Sequence, residues 1–341
     1  MPIGIAVIGT GQWGQNLVRK FAELPEADLI AVCDVDRPKL EKLARRYPRT
    51  KMTVDLAVAV DDDAVDAVVI ASPAPLHYEQ AKTALTAGKD VFVEKPLTLD
   101  VGQAQDLIDT AERLNKILMV GHLLIYHPAV ALIKSLIDKG EIGSIRYMYS
   151  QRLNLGTVRK DENALLSLAP HDIAVILHLT GKKPVSVMAN GQAYLRPGIH
   201  DVVFMTLAFE DSTLAHTHVS WLDPHKTRKF TVVGSNKMVV FDDMDASEKV
   251  RLYDKGADPA TDYKKYGDDL TLRFGDILIP SVKMQEPLAL ECRHFLDCVR
   301  DRRRPLTDGR NGLEVLQILQ AAQKSLDEAS RPVMIEETGH A

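Results

Sequence analysis

The feature that most constrains the fold of this 341-residue chain is a glycine motif near its start. The motif, Gly9-Thr10-Gly11-Gln12-Trp13-Gly14, follows an apolar run and precedes apolar residues at helical spacing. Strand, G-x-G-x-x-G and helix in this order predict a dinucleotide-binding βαβ unit. In such a unit the glycines allow a tight turn, close approach of a pyrophosphate and close packing of helix on strand. The helix N-terminus also offers N–H groups to the phosphates.

An acidic residue at the end of the second predicted strand indicates which dinucleotide is bound. Asp34 follows the apolar run 29–33 and lies 20 residues past Gly14. A carboxylate there accepts hydrogen bonds from both adenosine ribose hydroxyls and repels a 2′-phosphate. The sequence therefore predicts NAD rather than NADP as the cofactor.

Strands and helices alternate through the first third of the chain. Strands are predicted at 3–8, 29–33, 67–71, 91–93 and 117–120, and helices at 12–24, 38–46, 75–87 and 101–114. Short apolar strands separated by helices predict a doubly wound parallel sheet covered on both faces. We therefore expect an α/β fold with an N-terminal Rossmann domain over residues 1–121.

The pattern changes after residue 122. A helix is predicted at 128–138, a strand at 145–153, a helix from near Pro170, strands at 185–195, 202–209, 213–221, 229–233 and 237–241, a loop at 254–270, and helices at 286–301 and 309–328. This predicts a C-terminal α+β domain over 122–341 with a large, open, mainly antiparallel sheet, for substrate binding and oligomerisation. The last helices could pack back on the first domain.

One face of that sheet is expected to meet a partner, because large exposed apolar surfaces are uncommon in monomers. Val187, Phe204, Met205 and Val219 are the residues expected to line it. The sequence therefore predicts a homodimer or homotetramer.

Charge and cysteine content exclude several classes of protein. A net charge of −5 gives no indication of nucleic-acid or membrane binding. Three cysteines without a C-x-x-C spacing fit a reducing compartment, and we read no signal peptide at the start. The expectation is a cytoplasmic protein. His216 and His218 share one face of a predicted strand and are interpreted as strand-face residues, so no metal site is predicted.

Polar residues at three predicted strand ends indicate one crevice, because ligands of such sheets lie outside the carboxyl ends of the strands. The glycine loop, the segment Ser72-Pro73 with His77, and Glu94-Lys95-Pro96 occupy these ends. A lysine there can hydrogen-bond a substrate hydroxyl and stabilise it as its proton leaves. A strand-end lysine reaching to solvent is the other interpretation, but Pro96 fixes the chain where a lysine must be aimed.

Together with Gly121, these motifs resemble the glucose–fructose oxidoreductase / inositol dehydrogenase / MocA family over essentially the whole chain. The resemblance implies that Lys95 is catalytic and that the following peptide bond is often cis. It also implies a catalytic histidine at the start of a helix in the second domain, which His171 matches, acting as general base. Ser167 stands where the family commonly has an aspartate.

Part of the second domain resembles a narrower group, the 3-dehydrogenases of UDP-N-acetylglucosamine or its uronic acid in polysaccharide and lipid A amino-sugar biosynthesis. The segments that carry this resemblance are 121–128, 152–156 with Arg159, 170–173 and 220–224. An arginine guanidinium can donate two hydrogen bonds to a phosphate, so Arg152 and Arg159 are candidates to bind a sugar diphosphate. They could also belong to a solvated basic loop. Tyr126 could line the crevice or lie in the core, and Trp221 could stack on a ring or be structural.

The residues expected to act fall into three sets. The catalytic pair is Lys95 and His171. Cofactor contacts are expected from Gly9, Gly11, Gln12, Trp13, Gly14, Asp34, Ser72, Pro73, His77, Glu94, Lys95 and His122. Substrate contacts are expected from Lys95, Tyr126, Arg152, Asn154, Arg159, His171 and Asp172.

Two other functions stay open from the sequence. A dehydrogenase of a free polyol, inositol or hexose would use the same catalytic pair, because one fold of this kind serves many substrates. A non-catalytic nucleotide-binding regulator would not need both Lys95 and His171, so their presence disfavours it.

Overall fold

A computed structural model of the chain describes residues 1–160, 162–259 and 270–335. The chain divides into two compact units. The first comprises Met1–Tyr126 and Gln285–Leu316, and the second comprises His127–Met284 and Gln317–Ala341. The chain thus returns to the first unit near its end, and the second division falls inside the last helix.

The first unit is built on a six-stranded parallel sheet with the strand order β3-β2-β1-β4-β5-β6. Its strands are β1 (Ile3–Ile8), β2 (Ala27–Cys33), β3 (Lys51–Thr53), β4 (Ala67–Ile70), β5 (Asp90–Glu94) and β6 (Leu118–Gly121). The central strand β4 and the edge strand β6 are buried along their whole length, as expected for a sheet whose two faces are covered by helices. This order places the carboxyl ends of β1, β4 and β5 side by side, so the three polar segments that follow these strands lie at one edge of the sheet.

The helices of the first unit follow the predicted alternation. They are α1 (Gly14–Glu23), α2 (Arg37–Arg46), α3 (Leu56–Val60), α4 (His77–Thr86) and α5 (Val101–Arg113), joined by α8 (Pro287–Asp301) from the end of the chain. The sequence interpretation missed β3 and α3, because a three-residue edge strand and a five-residue helix are too short to show a period. Asp55 fixes the start of α3 by accepting a hydrogen bond from the Ala57 amide at 2.9 Å.

The second unit is built on a nine-stranded sheet with the order β14-β13-β12-β11-β7-β10-β9-β8-β15. Its strands are β7 (Ile145–Leu153), β8 (Ser186–Gln192), β9 (Val202–Ala208), β10 (Leu214–Ser220), β11 (Thr227–Gly234), β12 (Met238–Asp242), β13 (Val250–Pro259), β14 (Leu270–Leu278) and β15 (Val333–Met334). Two helices, α6 (Pro128–Asp138) and α7 (Ala164–Thr180), belong to this unit, while α9 (Gly309–Asp327) spans the division.

The sheet of the second unit is mainly antiparallel, but it is not a simple meander. Strand β7 inserts between β10 and β11 and runs parallel to β10. The predicted fold class, a parallel doubly wound sheet followed by a large mainly antiparallel one, is confirmed. Arg152 lies near the end of β7 and therefore has a neighbouring strand on each side.

Two element boundaries in the second unit differ from prediction. Helix α7 begins before Pro170, because the Asn163 side chain caps it by accepting from the Leu166 amide at 3.0 Å. The residues 254–259 and 270, expected in a loop, belong to β13 and β14, which pair antiparallel across the sheet edge. The rest of that expected loop, 260–269, lies outside the described residues.

Alternation along the strands separates a helix-covered face from an open face. Val187, Met205 and Val219 are buried on the covered face, so the expectation that they line a partner surface is wrong. Phe204 is 43% exposed on the opposite face. Its ring stacks on His216 and His218, with centroids 6.3 and 4.2 Å apart. Among the helices of the described ranges, none has the length and apolar character needed to cross a membrane.

Candidate functional site: a dinucleotide loop and a charged helix–sheet cluster

The glycine loop lies between β1 and α1 and fits only glycine at two of its three glycine positions. Gly9 has φ +90°, and a Cβ there would lie 2.6 Å from the Ser72 amide nitrogen. A Cβ at Gly14 would lie 2.1 Å from the Gly9 carbonyl oxygen. A Cβ at Gly11 would meet nothing within 4 Å, so this position faces open space. No side chain caps the start of α1, although the Gly11 and Trp13 carbonyl oxygens accept hydrogen bonds from the Gln15 and Asn16 amides at 3.2 and 2.8 Å.

Asp34 lies beside this loop with a fixed carboxylate. Its Oδ2 accepts hydrogen bonds from the Thr10 amide at 2.6 Å and the Thr10 hydroxyl at 2.7 Å, and its Oδ1 accepts from the Asp36 amide at 2.9 Å. Burial raises the pKa of the Asp34 carboxyl, but these hydrogen bonds outweigh burial and hold the pKa below its usual range. The carboxylate is therefore charged at neutral pH, as ribose recognition and exclusion of a 2′-phosphate require.

The His77 ring ties two strand-end loops together. Its Nδ1 lies 2.7 Å from the Pro96 carbonyl oxygen and its Nε2 lies 2.9 Å from the Ser72 carbonyl oxygen. The ring is 1% exposed, so it positions the loops rather than offering an accessible surface. Ser72 donates its hydroxyl to Gln80 at 2.6 Å, whereas Pro73 is exposed. The Lys95–Pro96 peptide bond is cis.

Glu94 links the glycine loop to the end of β5. Its Oε1 accepts a hydrogen bond from the Trp13 indole at 2.5 Å, and its Oε2 lies 3.3 Å from the Lys95 amide nitrogen. The carboxylate passes so close to β6 that a Cβ at Gly121 would lie 2.9 Å from its Oε2. The glycine at position 121 therefore makes room for Glu94.

The groups around Lys95 have strongly shifted pKa values. Burial raises the pKa of Glu94 to about 7, despite the Trp13 hydrogen bond and the Lys95 charge, which lower it. Burial and the Lys95 charge lower the pKa of His122 to about 3, so its imidazole is neutral. Neither ring nitrogen of His122 has a hydrogen-bond partner within the described part of the chain. A buried neutral ring with both nitrogens unused can donate to or accept from a ligand.

The sequence interpretation missed Glu291 on α8. It is fully buried, and neither carboxyl oxygen has a partner among the residues that the structure describes. Burial and the Glu94 charge raise its pKa well above the usual range. A signal was present: Glu291 interrupts the apolar stripe formed by Leu288, Cys292 and Phe295.

Tyr126 belongs to the core of the first unit. It is 8% exposed, and its hydroxyl lies 2.9 Å from the Thr307 hydroxyl. Of the two interpretations left open for this residue, the structure favours the core, because the ring is buried and its hydroxyl is hydrogen-bonded to Thr307.

These residues of the first unit fit NAD. Gly11 leaves the space in which a pyrophosphate meets the backbone, next to the positive end of the α1 dipole. Asp34 supplies the charged acceptor for the ribose, and His122 supplies unused polar atoms beside Lys95.

In the second unit, His171 lies within α7 rather than at its start, and it is half-buried. The next residue, Asp172, is buried and forms a bidentate ion pair with Arg152 on β7. The Arg152 Nε lies 2.7 Å from Oδ2 and its Nη2 lies 3.2 Å from Oδ1. Asp172 thus occupies the fork of Arg152 that was expected to meet a phosphate.

The other predicted substrate residues lie nearby in sequence but differ in setting. Arg159 is exposed and pairs with Glu162 at 2.9 Å. Asn154 is half-buried just past the end of β7. Trp221 is 2% exposed and its indole donates to Asp201 at 2.7 Å, so it is the structural tryptophan of the two interpretations.

Two family models match most of both units. A model described as "Oxidoreductase family, NAD-binding Rossmann fold" matches residues 3–122, and one described as "GFO/IDH/MocA C-terminal domain" matches residues 130–240. The chain belongs to the GFO/IDH/MocA oxidoreductase family. The family resemblance of the sequence and the prediction of an NAD-binding Rossmann domain are thereby confirmed.

Individual relatives of this GFO/IDH/MocA protein differ in substrate. UDP-N-acetylglucosamine 3-dehydrogenase of Acidithiobacillus ferrooxidans is 27% identical, over 91% of this chain and 93% of that protein. The scyllo-inositol 2-dehydrogenase (NAD(+)) of Bacillus subtilis is 26% identical, over 88% of this chain and 87% of that protein. The structure of GenD2 from gentamicin A biosynthesis, in complex with NAD, shares the fold with a TM-score of 0.82 and 24% identity, covering 98% of this chain and 97% of that one.

Proposed function

We propose that this protein is an NAD-dependent dehydrogenase that oxidises the 3-hydroxyl of UDP-N-acetylglucosamine, or of its uronic acid, to a 3-keto sugar. The observation that carries the proposal is the near full-length similarity to a UDP-N-acetylglucosamine 3-dehydrogenase. The cationic residues on β7 and β11 of the second unit support it, because a sugar diphosphate needs cationic partners. The product would supply an aminotransferase in amino-sugar biosynthesis, in the cytoplasm.

In the proposed mechanism two side chains act on the substrate hydroxyl as it loses its proton. NAD, when bound, accepts the hydride from the reacting carbon. The Lys95 ammonium donates a hydrogen bond to the substrate hydroxyl oxygen and stabilises the negative charge that develops there as the proton leaves. A ring nitrogen of His171 accepts that proton. Trp13 and Glu94 hold the backbone on which Lys95 stands, and His77 holds the loop that follows it.

A direct assay tests the substrate. Mixing the protein with NAD and UDP-N-acetylglucosamine, or the corresponding uronic acid, is expected to produce NADH, measured by absorbance. Matched reactions contain scyllo-inositol or free hexoses in place of the UDP sugar. An inert UDP-sugar reaction, with an inositol or hexose turning over, would reject the substrate in favour of the polyol function that the inositol dehydrogenase relative supports.

We also propose that the open face of the large sheet joins copies of the chain into a homodimer or homotetramer. Phe204, Tyr149 and Met188 are exposed on this face, and the edge strand β14 adds exposed Leu272 and Phe274. Such an apolar surface is uncommon in a monomer.

Light scattering tests the assembly. The wild-type protein is expected to have the mass of a dimer or tetramer, and Phe204→Asp is expected to lower that mass, because it places a charge in the apolar contact. Val58→Asp is the control, since Val58 is similarly exposed, at 39%, on α3 of the first unit. A monomeric wild-type protein at assay concentration would contradict the proposal.

A further inference from the structure

Two arginines lie directly opposite each other in the sheet of the second unit. Arg152 on β7 pairs in register with Arg228 on β11. Arg228 shares its strand face with buried Phe230 and Val232, so it lies on the helix-covered face, near the beginning of β11. Unlike those two residues, Arg228 is exposed, so its side chain is accessible to a ligand.

The two arginines differ in how the surrounding acids reach them. Asp172 accepts two hydrogen bonds from Arg152. Asp243 and Asp172 attract Arg228 only through space, and Asp243 lies 3.4 Å from the His127 ring and 3.6 Å from the Lys249 ammonium. Within the described ranges, the Arg228 guanidinium forms no ion pair or hydrogen bond.

Of the two arginines that face each other, Arg152 has a hydrogen-bonded acid and Arg228 has none in the described part of the chain. Like charges directly opposite each other on neighbouring strands destabilise a sheet. Partial burial and the charge of Arg152 lower the pKa of Arg228, although a guanidinium stays charged in proteins. An anion with two oxygens would fit the planar donors of this guanidinium and give it the hydrogen-bonded partner that Arg152 already has. Asp172, whose charge acts on Arg228, directly follows the predicted catalytic residue His171 in the chain.

We propose that Arg228, rather than Arg152, binds the anionic group of the substrate. The ligand chemistry is a phosphate or carboxylate oxygen pair, supplied either by the diphosphate or by a C6 carboxylate of the sugar. The inference rests on the proposed function, and it names a residue that selects charged sugars.

Steady-state kinetics of Arg228→Gln test this. KM for the UDP sugar is expected to rise about 10- to 100-fold, the loss typical of a hydrogen bond to a charged group. The KM for NAD and the melting temperature should stay near the wild-type values. Arg228→Lys keeps the charge but loses the planar pair of donors, so a smaller rise in KM for the UDP sugar is expected. If Arg228→Gln misfolds, the KM of Arg228→Lys tests the proposal instead. Arg146→Gln, at the other end of β7, is the matched control.

The substrates distinguish the two sources of the anion. An equal rise in KM for UDP-N-acetylglucosamine and its uronic acid supports binding of the diphosphate, and a rise with the uronic acid alone supports binding of the carboxylate. An unchanged KM for both, with an active wild-type enzyme, overturns the role of Arg228 and leaves the proposed function intact. A wild-type protein inert with both substrates overturns the two together.

Discussion

Replacing Lys95 with methionine is expected to lower kcat by about 10²- to 10⁴-fold, the usual range for loss of an acid–base group. Methionine keeps an unbranched apolar side chain but removes the ammonium that stabilises the developing alkoxide. Lys95 is one of several expected cofactor contacts, and the glycine loop and Asp34 are untouched, so the Kd for NAD should rise far less than kcat falls. Stopped-flow measurement of NADH formation and fluorescence titration with NAD separate the two quantities.

The control for this experiment is Lys89→Met, just before the same strand. Lys89 donates to the carbonyl oxygens of Asp62 at 3.0 Å and Val65 at 2.7 Å, and it lies at the amino end of β5 rather than the carboxyl end. Its replacement should leave kcat close to the wild-type value. If Lys95→Met retained wild-type kcat, the proposed catalytic role of Lys95 would be wrong.

Gly14→Ala is expected to lower the stability of the protein, whereas Gly11→Ala is expected to weaken NAD binding. At Gly14 the new Cβ meets the Gly9 backbone oxygen at 2.1 Å, so the backbone must move. We expect the free energy of unfolding of the NAD-free protein to fall by about 1–3 kcal/mol. At Gly11 the Cβ meets nothing within 4 Å, so the fold should be unaffected. The methyl group would instead occupy the space of the pyrophosphate, and the Kd for NAD should rise about 10-fold or more.

Urea unfolding without NAD and calorimetric titration with NAD measure these two effects. Gly88→Ala is not a suitable control, because its φ of +78° adds backbone strain of its own. Gly102→Ala on α5 is suitable, since the nearest atom to its Cβ is a side-chain oxygen of Asp100 at 3.1 Å. Wild-type NAD affinity in the Gly11→Ala variant would place the pyrophosphate elsewhere.

The N-terminal half of the candidate site could be predicted residue by residue. Glycine spacing, the acid after the second strand and the lysine after the fifth strand are local signals, and parallel strand order brings their ends together. The sequence did not predict which of the candidate site residues are buried. His77 and Tyr126 were expected at ligand surfaces, yet both are buried and bonded to neighbouring chain segments.

In the second unit the sequence could not assign the charges. Arg152 was expected to meet phosphate, but Asp172 on a helix remote in the chain engages it. Arg228 escaped notice because nothing in its immediate sequence sets it apart from other strand arginines. Only the register of β11 with β7 shows that it faces Arg152. Alternation also decided which sheet residues are exposed, and a shift of one position reverses that assignment.

By itself, the order of residues determined the family, the two kinds of sheet and the dinucleotide loop, because turns, caps and hydrophobic periods act between residues close together in the chain. Tertiary structure alone decided which charges are compensated, since ion pairs form between residues that only folding brings into contact. It also decided that Glu291, on the helix that returns to the first unit, is buried and has a raised pKa. Burial and pairing are properties of three-dimensional neighbours, and they shift the pKa values of Glu94 and His122 beside Lys95.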